Sequence, residues 1–224
     1  QFILRCLLLC VRLTEIINLF NFYIMTTNKE LMQQSLQVLQ GRWGTPIAVA
    51  VLYCVIVMGV SMIPYVGTVL SIVVGAPLVL GFYEFFLKLS RGEEVSTSIL
   101  WTGFSFFDKS VLTYLLMFVY VLLWSLLLIV PGIIASISYG MAFFILAEDK
   151  NLTPAEVLRR SKQMMYGYKW KYFCLGLRFI GWILLCIVTF GIGFLFLMPY
   201  MQTAYAKFYD DIKSASIPQE SNEL

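Results

Sequence analysis

The sequence predicts an all-α polytopic integral membrane protein, with six transmembrane helices arranged as three hairpins and joined by amphipathic interfacial helices. Three observations carry this expectation. Apolar residues make up 60% of the 224-residue chain and charged ones 13%, with a mean hydropathy of +0.82; a soluble domain has about a quarter charged residues. Three long runs, 43–83, 110–147 and 172–206, carry no charge except Arg178. Each run is broken near its middle by Pro or Gly: Ile63-Pro64-Tyr65-Val66-Gly67, Val130-Pro131-Gly132-Ile133 and Phe190-Gly191-Ile192-Gly193. One span needs roughly 20 apolar residues to cross a core about 30 Å thick, so each run is too long for one helix and fits two.

Residues 1–24 form an apolar N-terminal segment interrupted by Arg5, Arg12 and Glu15. The charges break any signal-peptide core, and no small-residue cleavage site follows. Met25-Thr26-Thr27-Asn28-Lys29 reads as an ordinary bacterial start. Residues 1–24 are therefore expected to be non-native upstream sequence, with an extra interfacial or spanning helix as the competing reading. Residues 25–213 read as a single six-span membrane domain, and residues 214–224 as a disordered polar tail.

Within the domain, Asn28 to Gln40 has helical periodicity, with Met32, Leu36, Leu39 and Trp43 on one face and Thr27 and Glu30 at capping-box spacing. The first hairpin follows. Its second arm, about Thr68 to Leu89, contains Gly75-Ala76-Pro77 as an expected kink. The connection Arg91 to Lys109, rich in Ile99, Leu100, Trp101, Phe104, Phe106 and Phe107, reads as a surface-lying segment. In the central hairpin, Pro131 lacks an N–H donor and Gly132 tolerates positive φ, so the pair is expected to end one helix and start the next. This leaves a first arm from Val111 to Ile129 and a short second arm from Ile133 to Glu148. Thr153-Pro154-Ala155-Glu156 then opens a helix with an apolar face (Val157, Leu158, Ser161, Met165) and a cationic one. Pro64, Gly67, Pro131, Gly132, Gly191 and Gly193 are the expected turn residues. Gly75, Ala76, Gly140, Gly181 and Gly191 are expected to allow close helix contact, and the five tryptophans to serve as belt or packing residues. An interfacial segment before each hairpin gives a degenerate threefold repeat; short loops in any six-span chain would give the same appearance.

Lys and Arg gather in the N-terminal segment, the two long connections and the C-terminal end, while the three tight turns carry none. The positive-inside rule then places both termini and both long connections in the cytoplasm of a bacterium, with the protein in its plasma membrane. The net charge of +3 is too small to argue for nucleic acid. The chain has no histidine, which removes the commonest general base and metal ligand. The five cysteines form no CxxC pair, and no nucleophile motif or phosphate loop appears. Neither a catalytic site nor a metal, cofactor or disulfide is expected.

Two places stand out as candidate sites. Arg178 is the one charge inside a run, and Glu84 is its only acidic candidate partner within the spans; snorkelling of Arg178 to the headgroups, and an i, i+4 pair of Glu84 with Lys88, are the simpler readings. Arg159, Arg160, Lys162, Lys169 and Lys171 form a candidate face for anionic lipid headgroups.

The chain also resembles the bacterial integral membrane proteins that carry the domain of unknown function numbered 975. The matching stretches are Leu39-Gln40-Gly41-Arg42-Trp43, Ile63-Pro64-Tyr65-Val66-Gly67, Gly81-Phe82-Tyr83, Leu123-Trp124-Ser125-Leu126-Leu127 and Ile129-Val130-Pro131-Gly132-Ile133. They continue through Ser161 to Lys169, Phe179-Ile180-Gly181-Trp182, Gly191-Ile192-Gly193 and Pro199-Tyr200. Arg178 departs from the pattern, which has a small polar residue there. The resemblance implies a six-span membrane protein of no established activity. The chain's own features leave three function classes: a membrane scaffold or accessory protein; alternatively a small transporter, channel or lipid-translocating protein; or an interfacial lipid-binding or sensing module. The expected partners are the lipid bilayer and its anionic headgroups, with a membrane-protein partner left open.

Overall fold

The structure, a computed structural model, describes residues 26–63, 67–188, 191 and 193–216. Among these residues all regular structure is helical. The expectations for residues 1–24 and for Pro64 lie outside the described residues. So does 217–224 of the tail; Ser214–Ser216 close the last helix.

The first helix, α1 (Asn28–Leu39), starts at the expected capping box: the Glu30 carboxylate accepts from the Thr27 backbone N–H at 2.8 Å. These bonds hold the Glu30 carboxyl below its ordinary range. Gly41 follows with φ +77°, a left-handed turn that suits glycine. The next two helices, α2 (Gly44–Ser61) and α3 (Gly67–Ser90), pack against each other. A 3-10 segment (Thr97–Phe106) then leads into α4 (Phe107–Leu127). Next come α5 (Ile129–Ser138) and α6 (Ala142–Glu148). After these, α7 (Pro154–Met164) opens on the second capping box, with Glu156 accepting from the Thr153 N–H at 2.9 Å. The chain closes with α8 (Lys169–Val188) and α9 (Phe194–Ser216).

Five stretches are long and apolar enough to cross a membrane: 44–61, 72–90, 97–126, 129–148 and 169–188. The last helix, α9, falls short of that standard because its second half carries Lys207, Asp210, Asp211 and Lys213.

Two sequence expectations need correction, and a third gains a contact. The central turn lies at Leu128, whose backbone is extended, and not at Pro131-Gly132. Pro131 sits in the first turn of α5, where a missing N–H costs nothing. Gly132 is helical; it is needed because a Cβ there would strike Ser125 on α4. The second arm therefore begins at Ile129, and it is broken at Tyr139-Gly140-Met141. Finally, the surface-lying segment 97–106 is docked along one side: Leu100 and Gly103 are buried, while Thr97, Ser98, Trp101 and Ser105 stay exposed. It runs antiparallel to α3, with Leu100 against Gly81 and Gly103 against Pro77, and Leu100 is fully buried.

Glycine contacts differ likewise. Among the described residues, of the expected close-packing glycines only Gly140 has a neighbour, the Tyr172 hydroxyl, and Gly75, Gly181 and Gly191 meet none. Gly191 serves its turn through φ +85°, and Gly193 packs on Cys186.

Burial is uneven in two directions. In the window 72–90, 61% of residues are buried, and in 129–148, 56%; in 97–126 only 11% are. So α3 and α5–α6 are the inner helices, and α2, α4 and α8 present apolar surface outward. Along the helices, the core gathers at the end that carries the charges: Leu78–Leu89, Met141–Ala147 and Ala204–Ile212 hold most of it. At the opposite end Met58, Leu123, Leu126, Ile129 and Val188 are exposed. That asymmetry positions the site below.

Candidate functional site

A cavity of about 480 Å³ lies where the dense half of the helix bundle meets the open half. Tyr53 of α2, Phe82 and Tyr83 of α3, Tyr114 and Met117 of α4, Phe143 of α6, Tyr172 of α8 and Gln202 of α9 wall it. Tyr139 and Gly140, from the break between α5 and α6, complete it. Its lining residues include no charged side chain. Phe118 and Ser136, also in the wall, are exposed, so the cavity opens toward the apolar half.

The break has a local cause. Gly140 lies against the Tyr172 ring, whose hydroxyl would be 3.0 Å from a Cβ placed there, a tight contact. The Ser138 carbonyl is turned out of the helix to accept from the buried Ser161 hydroxyl at 2.9 Å. Turn bonds of the i→i+3 kind bridge the gap, Gly140 N–H to Ile137 O at 3.2 Å and Ala142 N–H to Tyr139 O at 3.0 Å. The walls are held by ring contacts: Tyr53 with Phe82 (4.7 Å), Tyr83 with Phe143 (5.6 Å) and Tyr114 with Phe143 (6.4 Å).

Gln202 is the one carboxamide in the three apolar runs. Its side chain lies beside Tyr83, yet its Nε2 is buried without a hydrogen-bond partner among the described residues. An orphaned buried donor costs about 1–3 kcal/mol, so natural structures keep one where something else satisfies it. The Thr113 hydroxyl, next to Tyr114 in sequence, is in the same state.

Three ion-pair clusters lie at the charge-bearing end of the bundle. In the first, Glu84 is buried at 5% exposure and accepts from Lys150 at 2.7 Å, Lys88 at 3.0 Å and the Thr102 hydroxyl at 2.8 Å. Lys150 also sits 5.0 Å over the Phe106 ring, and Lys109 donates to its carbonyl at 2.7 Å. In the second, Glu148 accepts from Arg91 (2.7 Å), Lys213 (2.6 Å) and the Tyr209 hydroxyl (2.7 Å), while Arg91 also reaches Asp210 at 2.7 Å. In the third, Lys171 pairs with Asp211 at 3.1 Å, and the Thr26 hydroxyl donates to the same carboxylate at 2.9 Å. The second and third tie α9 to α6, to α8 and to the chain just before α1 and just after α3.

The structure separates several residues that the sequence grouped. Glu84 pairs with Lys88 as its spacing foretold, but its nearer partner is Lys150, from the loop before α7. Arg178 is exposed on α8, off the buried face of Leu175, Phe179 and Cys186, and makes no ion pair with a described residue. Glu84 and Arg178 are not brought together. In the cationic face, Arg159, Arg160 and Lys162 are exposed and Lys169 is half-buried. Lys171 leaves the face altogether, since it is buried at 8% exposure by its pairing with Asp211. With Arg178 turned outward, Arg178→Lys is expected to leave folded yield and thermal unfolding unchanged, because a lysine stem snorkels as well. A large loss would mean that Arg178 has a specific partner.

The tyrosines and Gln202 were not singled out by sequence. A signal existed: Tyr53, Tyr83, Tyr114, Tyr139 and Tyr172 all fall inside or at the edge of uncharged runs, as does Gln202. Polar groups at such positions must find partners in the bundle or in a ligand.

A family model described as "Protein of unknown function (DUF975)" matches residues 25–138 and 125–216. No curated protein and no solved structure matches the chain.

Proposed function

The chain belongs to the DUF975 family, a family of unknown function, and from that premise we propose a non-enzymatic six-span membrane protein that binds and moves a small amphipathic molecule within the bilayer. The carrying observation is the cavity at a broken helix, with Gln202 in its wall, whose buried Nε2 has no hydrogen-bond partner among the described residues. Breaks in spanning helices are where transporters bind substrate, because irregular backbone is tolerated only around a cavity or inside protein. The opening toward the apolar half favours lateral loading from lipid over a water-filled pore. The same geometry favours this transport or lipid-handling reading over a scaffold, for which no comparable feature exists.

In this reading the first half of α9, 194–206, is the sixth membrane segment; at about 20 Å it is shorter than a full span and is met by local bilayer thinning, with its charged second half at the cytoplasmic surface. Both termini then face the cytoplasm. A cysteine placed at Tyr65 is expected to be labelled from outside only; labelling from the cytoplasmic side alone would invert the topology.

Arg159, Arg160 and Lys162 on α7 remain the anionic-lipid face, each worth about 1 kcal/mol near a charged surface. Extraction into native lipid nanodiscs followed by mass spectrometry tests both proposals together. A retained small molecule or lipid is expected, present in the wild type and lost in Met117→Trp, which fills the cavity from α4. Reversing Arg159, Arg160 and Lys162 to glutamate is expected to lower the retained share of anionic lipid while leaving the cavity ligand in place. A stoichiometric protein partner with no small molecule would favour the scaffold reading instead.

A further inference from the structure

Resting on the reading that the cavity holds a small molecule, we propose that its ligand is an uncharged amphiphile with a planar, carbonyl-bearing head of the quinone class on an apolar tail.

The argument is one of elimination by charge, then of fit. An anionic headgroup needs a basic partner, and none lines the cavity. A lipophilic cation would find aromatic faces but no carboxylate. The nearest acid, Glu84, lies next to Tyr83 in sequence and is already held by Lys150, Lys88 and Thr102. Two ammonium groups on that one carboxylate leave the cluster net positive, so it offers a cation no attraction. A neutral ligand remains.

Beside the tyrosine hydroxyls, which donate or accept, the unsatisfied polar group in the wall is a donor. Gln202 Nε2 carries N–H bonds that no described protein atom accepts, so a ligand carbonyl oxygen satisfies it. Around it stand the rings of Tyr53, Tyr83, Phe143 and Tyr172, several already in tilted contact at 4.7–6.4 Å. A flat head fits between such walls in offset or edge-on contact. A cavity of about 480 Å³ suits a head of that size. The tail leaves through the open side, past Phe118 and Ser136, among side chains that already face lipid.

The test uses thermal unfolding of the full-length protein in nanodiscs with three probes. These are decylubiquinone, decylbenzene (the same chain without carbonyls) and tetraphenylphosphonium as the cation. Binding to the folded state raises the unfolding temperature with probe concentration. Decylubiquinone is expected to stabilise the wild type most, and Met117→Trp is expected to abolish the shift. Gln202→Leu keeps the shape and removes the donor; it is expected to weaken decylubiquinone about 3- to 10-fold, to the level of decylbenzene, as loss of one net hydrogen bond requires. A larger shift with tetraphenylphosphonium, or equal shifts for the two decyl probes in the wild type, would overturn the ligand assignment while leaving the cavity reading standing. Shifts that survive Met117→Trp, or no shift with any probe, would overturn the cavity reading and the assignment with it.

Discussion

Glu84→Ala is expected to destabilise the protein by about 3 kcal/mol or more, the cost of leaving a buried charge without its counter-charge. Glu84 is 5% exposed and holds three partners from three parts of the chain: Lys88 on its own helix, Thr102 from the 3-10 segment and Lys150 from the loop before α7. Without the carboxylate, Lys150 keeps an ammonium whose side chain is only 23% exposed, pressed over the Phe106 ring. Lys88 is different, with a side chain 38% exposed that turns to solvent when released. Lys88→Ala is therefore expected to cost about 1 kcal/mol or less, and Lys150→Ala clearly more. Glu84→Leu combined with Lys150→Met should recover much of the loss, since an apolar replacement of both partners avoids the stranded charge. Thermal unfolding in detergent reads all four variants. If Lys88→Ala proved as costly as Glu84→Ala, the pair visible from spacing would be the true anchor and the long-range contact incidental.

That contrast shows where the sequence was legible. Capping boxes at Thr27 and Thr153, the apolar runs and the Glu84–Lys88 pair all depend on residues within a turn or a span of each other, so their spacing alone fixes them. The Lys150 contact crosses 66 residues, and the Arg91–Asp210 contact 119. No periodicity encodes contacts of that kind; they follow from which helix ends the bundle brings together. Arg178 attracted notice because it was the only charge in a run, yet the side of α8 it occupies is set by Leu175 and Phe179 packing inward. The cavity was hidden for a related reason. Its polar lining is neutral, and tyrosine reads as one more aromatic in a membrane protein until five of them converge on one space. The break at 139–141 was hidden because Gly140, unlike Pro131, carries no backbone prohibition; only the Tyr172 hydroxyl against it reveals its role.

Gly103→Ala and Gly81→Ala are each expected to cost about 3 kcal/mol, at the upper end for overpacking. The 3-10 segment lies on α3 with the two backbones almost touching. A Cβ at Gly103 would overlap the Pro77 carbonyl oxygen and come within 2.8 Å of its carbon; one at Gly81 would overlap the Leu100 carbonyl and approach its carbon to 2.7 Å. In both cases the obstacle is main chain, which has no rotamer to change, so the segment must lift off α3. Once it has lifted, the second methyl meets little, and the double variant should cost well under the sum. Gly75→Ala on α3 and Gly181→Ala on α8 provide the contrast. Both face open space, and a helical alanine there should be neutral or stabilising by about 0.5–1 kcal/mol. The seam also bears on function, because α4 continues directly from the 3-10 segment and carries Tyr114 and Met117 into the cavity wall. Lifting the segment should therefore weaken ligand stabilisation along with the fold. Gly103→Ala would then lose probe-induced shifts that Gly75→Ala retains. If Gly103→Ala unfolded like the wild type, the close approach of the segment to α3 would be wrong, and with it the placement of α4 that shapes the cavity.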